Sequence, residues 1–173
     1  MNRTILGEPL RAINRLVAEG LLIDYAIGGG VAALFYTEPV LTYDFDVICR
    51  FPDKGKLIDP SPVFAKLKKW GYGFGMEDRI QIKGVPVQFI AASHGLMEEA
   101  LDKAKSVKIG GINTRILRAE YLAAIMLNLG RPKDLAKLDL LTGNKSVVFD
   151  HDLFKDILAR YHLTEKWKRF NEV

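Results

Sequence analysis

The residues with the most chemical reach lie in one run, Gly28-Gly29-Gly30 followed by "VAALFYTEPVLTYDFDV". Asp44 and Asp46 stand two apart among Tyr43, Phe45, Val47 and Ile48, in a segment whose aromatic and β-branched content reads as a strand. Residues two apart on a strand share a face, so both carboxylates point one way while Tyr43, Phe45 and Val47 point the other. Neighbouring carboxylates in an apolar setting repel and lose hydration; they persist beside a cation, or with one of them protonated. Two hard oxygen donors on one face suit Mg²⁺, which takes one or two carboxylates and fills its shell with water and phosphate oxygens. A strand face turned to solvent satisfies the same alternation. Spacing alone leaves both readings open.

The glycines add a second half to the pattern. They follow an expected strand, "IDYAI", and precede an apolar segment, Val31 to Tyr36, that reads as a helix closing before Pro39. Lacking Cβ atoms, they let the chain turn sharply and approach a ligand, and the helix behind them offers free N–H groups to an anion such as phosphate. The run is neither of the fingerprint phosphate loops: no Lys-Ser/Thr follows, and the glycine spacing does not fit a dinucleotide fold.

The surrounding elements alternate between strand and helix. Leu10, Ile13, Leu16 and Val17 recur at helical spacing up to Gly20, and Val63, Leu67 and Trp70 mark a helix stopping at Gly71. "RIQIKGVPVQFIA" reads as two strands around Gly84, with Pro86 at an edge or a strand start. "GLMEEALDKAK" is helical, and Gly110-Gly111 joins two alternating runs into a hairpin. From Arg118 onward the pattern is helical, punctuated by Pro132 in a first turn and by Thr164 as a cap. The expectation is one α/β (or α+β) domain spanning 1–173, with a mixed sheet over about 21–116 and a helical part over about 117–173.

Composition sets the bounds. The chain has 173 residues, 49% hydrophobic and 27% charged, with a formal charge of +4. These values are ordinary for a globular domain, and the charge is compatible with an anionic partner without requiring one. Its one cysteine, Cys49, excludes an internal disulfide and is expected to be buried and inert. No apolar run reaches membrane-spanning length, and the N-terminus lacks a secretory pattern, so a cytoplasmic protein with no membrane partner is expected.

The ordered set of a glycine pair, a helix, a Pro and a T-x-D-x-D run resembles the small nucleotidyltransferases that share a fold with DNA polymerase β, especially the stand-alone group classed with AbiEii-type toxins. The matching residues are Gly29, Gly30, Ala32, Pro39, Thr42, Asp44 and Asp46. "VPVQFIAA" falls where that family has its third catalytic strand, and "LRAEYLAAIMLNLGRPKDLAKLDLL" resembles its helical segment with a K-D pair, here Lys133 and Asp134. The resemblance covers about Tyr25 to Leu141. It implies a mixed-sheet nucleotidyltransferase core with flanking helices. It further implies that Asp44 and Asp46 are the catalytic pair and hold Mg²⁺, and that Gly29, Gly30, Thr42 and Lys133 bind a nucleoside triphosphate. A nucleotide would then pass to an acceptor hydroxyl as pyrophosphate leaves. The acceptor is not read from the sequence: a tRNA end, a protein hydroxyl and a small molecule such as an aminoglycoside all stay open, and an RNA or an antitoxin-like protein is a further candidate partner where the likeness extends to genetic context.

The chain departs from that pattern at three places. The third acid of the metal set corresponds to Gln88, whose amide oxygen can join a metal shell but cannot take a proton. Met126 stands where a Lys is common and reads as a core residue, and Val40 stands where an Arg is common. Glu77 and Asp78 are candidates for the missing acid, or else part of a solvated turn. These departures keep a second reading alive, in which the fold is catalytically degenerate and binds a nucleotide, RNA or a protein. His94, His151 and His162 show no metal-ligand spacing. The tail "RYHLTEKWKRF" mixes Arg160, Lys166, Lys168 and Arg169 with Trp167 and Phe170. Such a mix can stack on RNA or form an amphipathic helix with one solvated face.

Overall fold

A computed structural model of the chain describes residues 5–37, 45–52, 58–75, 79–93, 95–144 and 147–172. Among them are seven strands: β1 (Asp24–Ile27), β2 (Phe45–Arg50), β3 (Gly73–Phe74), β4 (Ile80–Ile82), β5 (Val85–Ala91), β6 (Lys105–Ile109) and β7 (Ile112–Ile116). They form one mixed sheet in the order β3-β4-β5-β2-β1-β7-β6. β2 runs parallel to β5 and antiparallel to β1, while β1 is parallel to β7. The helices are α1 (Gly7–Ala18), α2 (Gly29–Tyr36), α3 (Ser61–Lys69), α4 (Gly95–Asp102), α5 (Ala119–Leu129), α6 (Pro132–Gly143), α7 (His151–Arg160) and α8 (Thr164–Asn171). This is the mixed-sheet α/β architecture expected from the sequence.

The pleat separates the two faces of the sheet. Phe45, Val47, Ile80, Ile82 and Val87 are fully buried on one face. There Phe64 of α3 meets Phe89 edge-to-face, and the Tyr25 hydroxyl bonds to Asn14 of α1. The other face carries Asp46 and Ile48 of β2 and, directly opposite in register, Gln88 and Ile90 of β5. Pro86 sits at the start of β5, before pairing with β2 begins at Val87, so its missing N–H costs that ladder nothing. Lys83 and Gly84, both at positive φ, close the tight β4–β5 hairpin.

The helices over the second face owe their places to their apolar content. α5 is buried almost all round, from Ala119 to Ala124 and again at Met126 and Leu127, so it is a core helix with other elements packed about it. Met126 is thus a core residue. Gly130 closes α5 in the left-handed conformation, and Pro132 opens α6 at its first turn. Buried Glu120 of α5 accepts from the Asp150 amide at 2.9 Å, tying down the start of α7.

Two details of the tail differ from the sequence reading. The N-cap of α8 is Leu163, with no side-chain cap, so Thr164 is its first helical residue and not its cap. Trp167 packs edge-on against Phe154 at 5.1 Å and stacks on Phe170. Apolar burial thus employs both rings of the tail, while Lys166 donates to Asn128 and Lys168 pairs with Glu165. This is the amphipathic-helix reading of that segment.

Candidate functional site

The glycine turn is shaped around Asp46. Gly28 lies in the N-cap position of α2 and donates its N–H to the Asp46 carbonyl at 2.9 Å, carrying the β1–β2 ladder one step past Ile27. Gly29 follows at φ +54°, a conformation that disfavours side chains. A Cβ at Gly29 would overlap Asp46 Oδ2 outright and stand 2.7 Å from Cγ. Gly29 therefore meets two demands at once, positive φ and room for a carboxylate lying on the first turn of α2. Gly28, at the N-cap, has no side chain to cap that turn, and the leading N–H groups of the helix start where the Asp46 carboxylate lies.

A cavity of about 470 Å³ opens on this arrangement. Its polar wall includes Gly29, Gly30, Asp46, Gln88, Arg79 and, from α6, Lys133 and Lys137. Its apolar wall comes from Ile48 and Ile90 on the sheet, Leu96 and Met97 on α4, and Leu122, Ile125 and Met126 on α5. Five of the sequence-derived residues are thus brought to one cavity: Gly29, Gly30, Asp46, Gln88 and Lys133. Gln88 stands opposite Asp46 on the neighbouring parallel strand, so both project from the same face. Thr42 and Asp44 lie outside the described residues, as do Val40, Glu77, Asp78 and His94.

The K-D pair divides in two. Lys133 is exposed at the cavity rim, whereas Asp134 is buried and ion-paired with Arg131 across the first turn of α6. A carboxylate there complements the helix N-terminus as well as the guanidinium, so Asp134 is structural and only Lys133 offers free reach. Lys137, one turn further on the same helical face, and Arg79, just before β4, are cavity residues that the sequence reading did not single out. Cys49 is fully buried, and burial pushes its thiol up to about 12; it takes no part.

The donor set suits a hard divalent cation. Asp46 brings a carboxylate and Gln88 an amide oxygen, and no cluster of three His, Cys, Asp or Glu occurs among the described residues. An ion held here would draw the rest of its shell from water and phosphate, as Mg²⁺ does. Carboxylate, amide and backbone N–H on one wall, with cations on another, match a phosphorylated ligand whose charge is shared between a metal and the protein.

Glu99 of α4 braces the rim where Tyr161 joins the lining. It accepts from Tyr121 at 2.6 Å, from Tyr161, and from Arg160 at 2.5 Å. The Arg160 guanidinium foremost, then the two phenols, hold its carboxyl at about 2, below the usual 4.5. A depressed carboxyl stabilises the fold above its unfolded value and loses that contribution as pH falls towards its folded value. Thermal stability should therefore decline from about pH 5 towards pH 2, and Glu99→Gln should flatten that decline. Melting curves across this range check it; an equal acid loss in the variant would assign the effect to other carboxylates.

The fold defines a class. The chain has a nucleotidyltransferase-like fold, shared with solved structures over nearly its whole length. An antigenic nucleotidyltransferase-like protein from Paracoccidioides brasiliensis superposes with a TM-score of 0.60 at 13% identity, over 96% of this chain and 91% of that one. ANT(2'')-Ia, solved in complex with adenylyl-2''-tobramycin, gives 0.57 at 15% identity, over 95% and 98%. The solution structure of the antibiotic-resistance factor ANT(2'')-Ia gives 0.53 at 14%, over 95% of each chain. No family model and no curated protein matches the sequence.

Proposed function

We propose that this protein is a Mg²⁺-dependent nucleotidyltransferase that binds a nucleoside triphosphate in the cavity beside α2 and passes its nucleotide to an acceptor hydroxyl. The observation that carries the reading is the Asp46 carboxylate seated on the Gly29 turn, facing Gln88 and the α6 lysines across one cavity. Asp46, with Asp44, would hold the ion, and Gln88 would lend its amide oxygen. A divalent cation held there would supply positive charge against the charge that develops on the phosphates. The first turn of α2 would receive phosphate oxygens through its N–H groups, and Lys133 and Lys137 would offset the remaining charge. The acceptor oxygen would bond to the α-phosphorus as the bridge to the β-phosphate breaks. The electron pair would leave with pyrophosphate, and the hydroxyl proton would pass to water, since Gln88 is not a base.

The acceptor stays open. An RNA end, a protein hydroxyl or a small molecule each offers the attacking oxygen, and an antitoxin-like protein partner rests on the sequence resemblance alone.

Calorimetry with each of the four nucleoside triphosphates, with and without Mg²⁺, tests the binding half. At least one should bind below millimolar concentration in a Mg²⁺-dependent way. Silence with all four would remove the nucleotide. Binding without any label transfer to RNA, protein or small-molecule fractions of a lysate would favour the degenerate binding module, which Gln88 motivates.

A further inference from the structure

The cavity changes character along its strands. β2 and β5 run parallel, so a step of two residues carries the floor from Asp46 and Gln88 to Ile48 and Ile90, about 7 Å further on. Leu96 and Met97 of α4 and Leu122 and Ile125 of α5 line the cavity with that apolar pair. α4 opens at Gly95, a few residues past the end of β5, and Gly95 is part of the lining too. A ligand that is anionic at one end and flat and largely apolar at the other fits this gradient. A nucleotide has that order of parts.

Tyr161 stands at the apolar end. It is the one aromatic side chain among the described lining residues, and a Cβ on Gly95 would lie 3.8 Å from its Cε1. Its hydroxyl donates to Glu99 of α4, which also accepts from Tyr121 of α5 and from Arg160. The half-buried ring is therefore held at its far edge by groups from two other elements. The Arg160 guanidinium lies over the ring, 5.3 Å from its centre, and is not among the lining residues, which leaves the opposite face to the cavity. Among the described residues no second ring packs on it. A ring already fixed in place gives up little freedom when a ligand stacks on it.

We propose that Tyr161 is the platform on which the nucleobase stacks, at the end of the cavity away from the Asp46 carboxylate. This rests on the nucleotide reading above. Every base has a π-face, so the subsite is one for nucleosides as a class. Calorimetry on the full-length protein with Mg²⁺ compares the four nucleoside triphosphates with inorganic tripolyphosphate, which carries the phosphates and no base. Wild type should bind its tightest nucleotide more strongly than tripolyphosphate. Tyr161→Ala should weaken that nucleotide about 5- to 150-fold, the loss when alanine removes one base–aromatic stack, and leave tripolyphosphate as in wild type. Tyr161→Phe gives up the bond to Glu99 but keeps the ring, so it should retain most of the affinity. Tyr161→Leu keeps apolar bulk without a π-face and should fall with Tyr161→Ala.

Unchanged nucleotide affinity in Tyr161→Ala, or an equal loss for nucleotide and tripolyphosphate, would overturn the platform while leaving the nucleotide site standing. Equal affinities in Tyr161→Leu and Tyr161→Phe would do the same, as would a wild type that binds tripolyphosphate as tightly as any nucleotide. A wild type that binds none of the four nucleotides would remove the nucleotide reading itself, and the platform with it. Should Tyr161→Ala fail to fold, the comparison of Tyr161→Phe with Tyr161→Leu decides.

Discussion

Replacing Asp46 by Ala is expected to lower nucleotidyl transfer by at least ~10² to 10³-fold, because metal-borne stabilisation of a phosphoryl transition state is worth several kcal/mol. The more telling result should be a change in how binding depends on metal. The carboxylate lies on the first turn of α2, where phosphate oxygens would also settle. Unit charges about 4 Å apart repel by about 4 kcal/mol at an effective dielectric of 20. A divalent cation held by the carboxylate would offset that repulsion. Wild type should therefore bind triphosphate tightly only with Mg²⁺. Asp46→Asn, close in shape, should bind more weakly than wild type with Mg²⁺ and more tightly without it. Calorimetry in Mg²⁺ and in EDTA measures both arms. Unchanged Mg²⁺ dependence in Asp46→Asn would detach the carboxylate from the metal and reduce it to a structural partner of the turn.

The second large effect belongs to Gly29→Ala. A side chain at φ +54° costs roughly 1–2 kcal/mol, and overpacking against Asp46 adds roughly 1–3 kcal/mol. For a chain of this size each kcal/mol moves the melting temperature by about 2–4 °C, so a fall of roughly 4–20 °C is expected. Nucleotide binding should fall too, since relief of the overlap displaces Asp46 from the helix start. The two causes separate in a double-mutant cycle. In an Asp46→Ala background the overlap with Cγ and Oδ2 is gone, and the backbone strain and a 3.0 Å approach to Cβ remain, so Gly29→Ala should cost visibly less there. Equal losses in both backgrounds would mean that Asp46 does not pack on Gly29.

The pairing of Gly29 with Asp46 also shows where sequence reasoning stops. A glycine run between strand and helix was legible as a phosphate-friendly turn, but the carboxylate resting on Gly29 was not, because β1 and β2 meet only through their antiparallel register. The same division runs through the α6 segment. Pro132 marked a helix start on local grounds, yet the burial of Asp134 against Arg131 and the reach of Lys133 into the cavity depend on where α5 lets α6 dock.

By itself the sequence determined the elements and their faces. Alternation in "FDVICR" separates Phe45 and Val47 from Asp46, the 3.6-residue rhythm of "AEYLAAIMLNL" makes a core helix, and Gly110-Gly111 closes a hairpin, all through interactions a few residues long. Only the tertiary structure decided that β5 lies parallel beside β2 with Gln88 against Asp46. It alone brought Arg79, Lys133 and Lys137 to one cavity, and it turned Trp167 inward onto Phe154. Those choices follow from burying the apolar faces of distant elements together, a nonlocal condition that periodicity along the chain does not encode.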